Sequence, residues 1–359
     1  MLATFSSQLA ESKPLTDEQI LTAVEQLIHP EISVTLKASF LTQLATKGET
    51  VDEIAAFVRA LRAKSIQPPI DPAWRQAHDI LDVCGTGGDR LNTFNISTTV
   101  ALICAAAGVP VAKHGNRAVT SQAGSADVLE ALGIQIDLPP AEAAGSLRER
   151  NFAFFFAPNY HPAFKHIAPA RKLCAERGQR TIFNFLGPLL NPARPTAQLV
   201  GVPQPALCEP MAQVLQSIGV RRGMVVCGKV DSPPSTTQIS PSGLNGTAYL
   251  DELSILGDNT IAEFYQERGM TSSVTALGVI RSSSLDDLRG GDRETNARIV
   301  VRLLDGTDKG PRRDAITLNA SAALFVAGRS RTISEAKELA ETVLDSGAAL
   351  KKLNELKKR

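Results

Sequence analysis

Residues 82 to 98 read DVCGTGGDRLNTFNIST: Gly85, Gly87 and Gly88 fall within four positions, Asp89 follows, and Asn95, Ser97 and Thr98 come next. Glycines remove side chains, so backbone N–H groups can close on a bulky anion. The spacing is not the dinucleotide fingerprint, because Arg90 stands where a third glycine is needed, and no Gly-Lys-Ser/Thr follows to make a P-loop. Neutral donors at the positive end of a helix suit a phosphate. Asp89 repels a phosphate unless it takes ribose hydroxyls or backbone donors, or a cation lies between. The loop therefore points to a sugar phosphate with a divalent cation, although a tight ligand-free turn accounts for the glycines equally well. A second polar run, Lys113-His114-Gly115-Asn116-Arg117, continues as Ala-Val-Thr-Ser-Gln-Ala-Gly-Ser to Ser125. A basic pair in a loop is ordinarily just solvated. Two such cradles at neighbouring strand ends argue for an anion site.

Both runs must be positioned by a sheet. Ile80 to Val83 reads as a strand, 97–107 as a helix closed by Gly108, 109–112 as a strand and 125–132 as a helix closed by Gly133. Residues 134–138 read as a strand, 140–150 as a helix and 152–156 as a strand; strands resume at 197–202 and 223–227. Strand–helix alternation with short linkers gives a mostly parallel sheet covered by helices, with ligands beyond the strand ends. The first 65 or so residues are helical instead. Thr16-Asp-Glu-Gln19 and Thr50-Val-Asp-Glu53 have the form of capping boxes, Pro30 interrupts, and Gly48 stops the second helix. Helices near 292–304, 314–328 and 333–346 fill most of the C-terminus, and the basic KKLNELKKR reads as a solvated helix end. No internal repeat or low-complexity tract is found.

The 359 residues carry 38 basic and 37 acidic side chains, a net charge of +1, so no global field draws nucleic acid. Apolar residues make up 43%, enough for a full core. Five scattered cysteines without a CxxC pair argue against a disulfide framework or zinc ribbon and fit a reducing, cytoplasmic setting. No apolar run approaches a membrane span, and the N-terminus does not read as a signal peptide.

GTGGD, NIST, KHGNRAVTSQAGSADVLEALG, HPAFKHIAPARK, RTIFNFLGPLLNP, LRGGD and PRRDAITLNASAALFVAG together resemble the anthranilate phosphoribosyltransferase family over about residues 14–355. The resemblance implies transfer of the phosphoribosyl group of phosphoribosyl pyrophosphate to the amine of anthranilate, giving N-(5-phosphoribosyl)anthranilate and pyrophosphate in tryptophan biosynthesis, with Mg2+. It implies the class III phosphoribosyltransferase fold, like that of nucleoside phosphorylases. A small helical domain (1–76 and 162–194) joins a larger α/β domain (77–161 and 195–359), commonly as a homodimer through the helical domain. Carried over onto this sequence, the donor contacts are Gly85, Gly88, Asp89, Thr93, Asn95, Ile96, Ser97, Thr98, Lys113, His114, Gly115, Asn116, Arg117, Ala118, Val119, Thr120, Ser121 and Ser125. Gly85, Asn116 and Arg171 are expected to hold anthranilate, Arg171 by a two-pronged bond to its carboxylate. His161 is expected in the same tunnel, though core packing accounts for it equally well. Ser97, Asp251 and Glu252 are the implied magnesium residues; read alone, Asp251-Glu252 is a solvated pair.

Three features depart from the family. Cys227-Gly228 stands where His-Gly is usual. A long Ser/Pro/Thr-rich segment fills 229–249, and residues 173–179 are a little longer than usual. The chemistry implied needs no covalent intermediate and no Ser-His-Asp or Cys-His arrangement, because a neutral aromatic amine can attack as pyrophosphate leaves. A pyrimidine nucleoside phosphorylase-like enzyme and a catalytically silent nucleic-acid-binding relative are the alternatives. Intact KHGNR counts against the first, and intact GTGGD with balanced charge against the second.

Overall fold

The computed structural model describes residues 1–118, 122–231, 247–266, 268–274 and 283–357. Val119, Thr120, Ser121 and most of the 229–249 segment lie outside them. Four helices open the chain: α1 (Leu2–Ala10), α2 (Asp17–Ile28), α3 (Val34–Lys47) and α4 (Val51–Ala63). Both expected capping boxes form: the Thr16 and Thr50 hydroxyls accept from the N–H groups of Gln19 and Glu53, whose side chains answer the Thr N–H groups. Gly48 ends α3 with φ +84°, a conformation natural to glycine. After α5 (Pro72–Ala77) the chain alternates: β1 (Leu81–Gly85), α6 (Ile96–Ala106), β2 (Val111–Gly115), α7 (Ser125–Ala131), α8 (Pro140–Arg150) and β3 (Phe152–Phe156). The short α9 (Ala157–Tyr160) and α10 (Ala168–Glu176) lead back to the helical layer. Then follow β4 (Ala197–Gly201), α11 (Cys208–Ser217), β5 (Arg222–Val230), β6 (Ala248–Leu250), β7 (Asn259–Tyr265) and β8 (Arg268–Val274). Helices α12 (Arg293–Leu304), α13 (Pro311–Val326), α14 (Ile333–Asp345) and α15 (Ala348–Leu356) complete the chain.

The eight strands form one sheet in the order β3-β2-β1-β4-β5-β7-β8, with β6 also on β5. The pairs from β3 to β5 are parallel, and β5–β7, β7–β8 and β5–β6 are antiparallel. Alternate strand residues send their side chains to opposite faces. One face packs Leu81, Val83, Leu199 and Val226 against α6, α7 and α12–α15. On the other, Val200, Val225 and Ala262 join α11, α10 and the N-terminal helices in a second core.

Three readings of the sequence change. Residues 134–138 form no strand: Ile134 makes a single bridge to Lys357, and Pro139 caps α8 just beyond. The basic C-terminus is not merely solvated, because Leu353 and Leu356 of α15 are buried in the first core. The antiparallel strands β6, β7 and β8 are additions to the sheet.

Buried charges tie the helical layer together. Glu53 is 1% exposed and accepts from the N–H groups of Leu15 and Thr50, both at 2.9 Å, and from Lys47 Nζ at 2.7 Å. Lys37 donates to the carbonyls of His29 and His166, and Arg62 Nε to that of Leu189, anchoring α3 and α4 to the later segments. Removing one partner of a buried pair strands the other without solvent. Glu53→Ala is therefore expected to lower unfolding free energy by about 3–5 kcal/mol, measured by urea titration with an unchanged m-value.

Candidate functional site

The parallel strands end where their C-terminal residues turn outward, and both polar runs meet there. Adjacent pairing of β1 and β2 brings Gly85–Asp89 beside Lys113–Arg117. A cleft of about 350 Å³ opens between them. Thr93 to Thr98, Ala118, Ser125, Asp251 and Glu252 also line it. Of the expected donor contacts, Gly85, Asp89, Thr93, Asn95, Ile96, Ser97, Thr98, Lys113 through Ala118 and Ser125 line this cleft. Gly88 faces a neighbouring hollow on the far side of the loop, with Pro203 against it.

The glycines divide their work. Gly87 has φ +71° and open space around its α-carbon, as a turn that must bend toward a ligand requires. Gly85 serves another part of the chain: a Cβ there would lie 2.7 Å from Asp251 Oδ2. At Gly201, its partner in register on β4, a Cβ would lie 1.5 Å from the Asp251 carbonyl oxygen. The acidic segment is thus laid directly on the ends of β1 and β4. Asp251 Oδ2 accepts from the Gly87 N–H at 2.6 Å, and the Asn319 side chain of α13 clasps both backbone groups of Leu253.

Asp89, Asp251 and Glu252 converge in this cleft. Burial, then the facing carboxyls of Asp89 and Glu252, raises Asp251 well above the usual carboxylate range, and Asp89 and Asp251 share a hydrogen bond. Glu252 is pushed up to about 8 by burial, although Lys113 and the Ser97 N–H oppose the shift. Three buried carboxyls short of counter-charge form a donor set suited to a hard divalent cation. Among the described residues no three such side chains cage a metal by themselves. That fits an ion that keeps water and ligand oxygens in its shell.

The two cations of KHGNR differ. Lys113 is buried, with Nζ on the Val83 carbonyl at 2.8 Å and Ser97 Oγ at 3.4 Å, in the floor of the cleft. Arg117 is exposed and paired with Asp127 and Glu130 of α7. The segment Asn92–Asn95 is held by the LRGGD loop and α12: Phe94 N–H donates to the Leu288 carbonyl, Thr93 bridges Arg289, and Asn296 Nδ2 of α12 reaches Asn95 Oδ1 at 2.9 Å.

A second cavity, about 230 Å³, joins the cleft through Cys84, Gly85, Thr86, His114, Gly115 and Asn116. Its walls are apolar and aromatic: Phe164, Phe183, Leu186, Pro188 and Leu190, with Ala157 and His161. Gly85, Asn116, His161 and Arg171, the four expected anthranilate contacts, all line it. The Arg171 guanidinium sits at the rim, 5.3 Å over the Phe183 ring. His161 stacks on Phe164 and meets His114 edge-on. Burial lowers His161 to about 4 and His114 to about 3, so both rings are neutral near pH 7.

The sequence reading missed several groups that build these spaces. Asp82 and Asn191 are fully buried, and Asn191 Nδ2 donates to Asp82 Oδ2 at 2.9 Å and to the Ala112 carbonyl at 2.7 Å. This clasp fastens the cavity wall to β1 and β2. The RTIFNFLGPLLNP run carried that information, with Phe183 and Pro188 lining the cavity and an asparagine that locks it. Cys227, where the family usually has histidine, is buried in the second core and lines neither space.

Comparison with known proteins places this architecture. Residues 5–65 match the glycosyl transferase family helical bundle domain, and 77–240 with 242–350 match the glycosyl transferase family a/b domain. The chain is similar to anthranilate phosphoribosyltransferase of Petrotoga mobilis, 40% identical over 99% of this chain and 96% of that one. It is also similar to that of Symbiobacterium thermophilum, 43% identical over 98% and 95%. The crystal structure of anthranilate phosphoribosyltransferase from Thermus thermophilus superposes with a TM-score of 0.83 at 38% identity, covering 98% of each chain. The Saccharomyces cerevisiae enzyme, in complex with PRPP and Mg, shares the fold with a TM-score of 0.80 at 24% identity, over 99% of this chain and 96% of that one. With both halves of the fold matched and relatives this similar over nearly its full length, the chain belongs to the anthranilate phosphoribosyltransferase family.

Proposed function

We propose that this protein transfers the phosphoribosyl group of phosphoribosyl pyrophosphate to the amine of anthranilate, in tryptophan biosynthesis. The observation that carries this reading is the pair of joined spaces. A polar cleft with a glycine loop, a buried lysine and three carboxyls opens into an aromatic cavity rimmed by an arginine. The donor lies in the cleft on Gly85, Asp89, Thr93, Asn95, Ile96, Ser97, Thr98, Lys113 to Ala118 and Ser125, with Gly88 closing the loop from behind. Val119, Thr120 and Ser121, outside the described residues, complete the set by resemblance. Anthranilate lies in the cavity between His161 and Asn116, its carboxylate on the Arg171 fork.

Ser97, Asp251 and Glu252 would hold magnesium, which when bound would neutralise charge on the departing pyrophosphate. The chain's own part is positioning. Lys113 and the positive end of α6 face the anionic end, the apolar wall excludes water, and the junction at Gly85 sets the amine against the ribose carbon. The reading extends to a cytoplasmic homodimer, its helical domain being 1–76 with 162–194 and its α/β domain 77–161 with 195–359. Among the described residues no helix is long and apolar enough to cross a membrane.

The direct test is loss of anthranilate fluorescence on adding phosphoribosyl pyrophosphate and magnesium to the purified protein; no loss refutes the reading. Arg171→Ala is expected to raise the anthranilate KM about tenfold or more while that of the donor stays within about threefold, since a charge-assisted fork contributes roughly 1.5–3 kcal/mol. Equal losses for both substrates make the arginine structural. Gly201→Ala, remote from both spaces in sequence, must push the Asp251 backbone off β4. Turnover is expected to fall about 100-fold with the circular dichroism spectrum unchanged, because a misplacement of roughly 1 Å costs that much.

A further inference from the structure

Bond formation between an aromatic amine and a ribose carbon leaves the nitrogen positively charged with one hydrogen too many, and that proton must go somewhere. The titratable groups lining the aromatic cavity are Cys84, His114, His161 and Arg171. Arg171 holds its protons at any working pH. Burial and the neighbouring Asp82 raise the Cys84 thiol well above its ordinary range, so it carries its proton already. The carboxyls of Asp89, Asp251 and Glu252 line the cleft and not the cavity. Two imidazoles remain.

They are not equivalent. His161 lines the cavity alone, stacked on Phe164 and hydrogen-bonded to the backbone of Leu190. His114 ends β2 and lines both the cavity and the cleft, at the junction where donor and acceptor meet. Its ring donates a hydrogen bond to the backbone of Gly187, and Nε2 is buried without a partner. A neutral imidazole that donates through one nitrogen presents a bare lone pair at the other. An unsatisfied buried acceptor is costly, and one at a junction of two substrate spaces points to a ligand hydrogen.

Resting on the functional reading above, we propose that His114 Nε2 accepts the amine proton of anthranilate as the N–C bond forms. The amine lone pair forms the bond to ribose C1. The C1–O bond breaks and its electron pair leaves with pyrophosphate. One N–H electron pair returns to nitrogen as the proton passes to Nε2, and the imidazolium gives it to solvent as products leave. The groups facing the ring keep it neutral beforehand: burial first, then His161, with Arg62 of α4 and Lys113 beside it. So weak a base suffices, because an arylammonium is itself a strong acid. The competing acceptor is the substrate's own ortho carboxylate, engaged by Arg171.

The test is steady-state kinetics at saturating phosphoribosyl pyrophosphate on the wild type, His114→Ala and His114→Gln. Circular dichroism and thermal unfolding check that each variant keeps the fold. The expected result is a kcat about 100-fold lower in both variants, the low end of what a positioned base contributes, with the anthranilate KM within about threefold of wild type. Added imidazole is expected to restore kcat of His114→Ala, whereas pyrrole, of the same shape without a basic nitrogen, is not. A kcat within threefold of wild type overturns the proposal and assigns the proton to the substrate carboxylate. Equal rescue by pyrrole overturns it too, since the ring then only fills space. A wild type that leaves anthranilate unconsumed fails the functional reading itself, which the variants alone do not touch.

Discussion

The close approach of the Asp251 backbone to Gly85 and Gly201 is the constraint on which the rest of the site depends. The two glycines are paired in register at the ends of β1 and β4, and a methyl group on either would collide with the acidic segment. Through that contact a stretch far along the chain becomes the wall of a loop formed early in it. Asp251 then caps the Gly87 N–H, and Glu252 reaches the start of α6. Helix, loop and acidic pair are set in one geometry by backbone contact, which is stiffer than any side-chain tie.

Around this contact the fold uses buried amides as locks. Asn191 holds the cavity wall to β1 and β2, Asn296 holds Asn95 at the head of α6, and Asn319 holds the strand of chain that follows Glu252. Each lock has at least one partner from a distant segment. A buried amide left half-paired costs more than an apolar side chain, so such locks specify one arrangement. Among the buried atoms without a partner, His114 Nε2 and the Thr98 hydroxyl line the two spaces.

Much of this was legible in the sequence because it follows local rules. Thr16 and Thr50 announce their helices, Gly48 stops one, and strand–helix alternation from Leu81 gives the parallel half of the sheet. Both polar runs fall at adjacent strand ends, as the pairing of β1 with β2 bears out. What failed depends on long-range contact. The apolar run at 134–138 looks like a strand, but Ile134 finds only Lys357 as a partner. KKLNELKKR looks solvated, but helical spacing puts Leu353 and Leu356 on one buried face. Gly85 read as room for a ligand and serves chiefly as room for Asp251, a fact no local pattern encodes. Asp82 and Asn191 are 109 residues apart, and no local pattern pairs them.

The central claim is that the glycine cleft takes a magnesium-borne phosphoribosyl donor through the acidic segment seated on Gly85 and Gly201. Calorimetric titration of the purified protein with phosphoribosyl pyrophosphate, once with magnesium and once with a chelator, tests it most directly when repeated on Asp251→Asn/Glu252→Gln. The account predicts wild-type binding at least tenfold tighter with magnesium, and loss of that difference in the double variant. Equal affinity with and without the metal, or full magnesium dependence in the double variant, would contradict it.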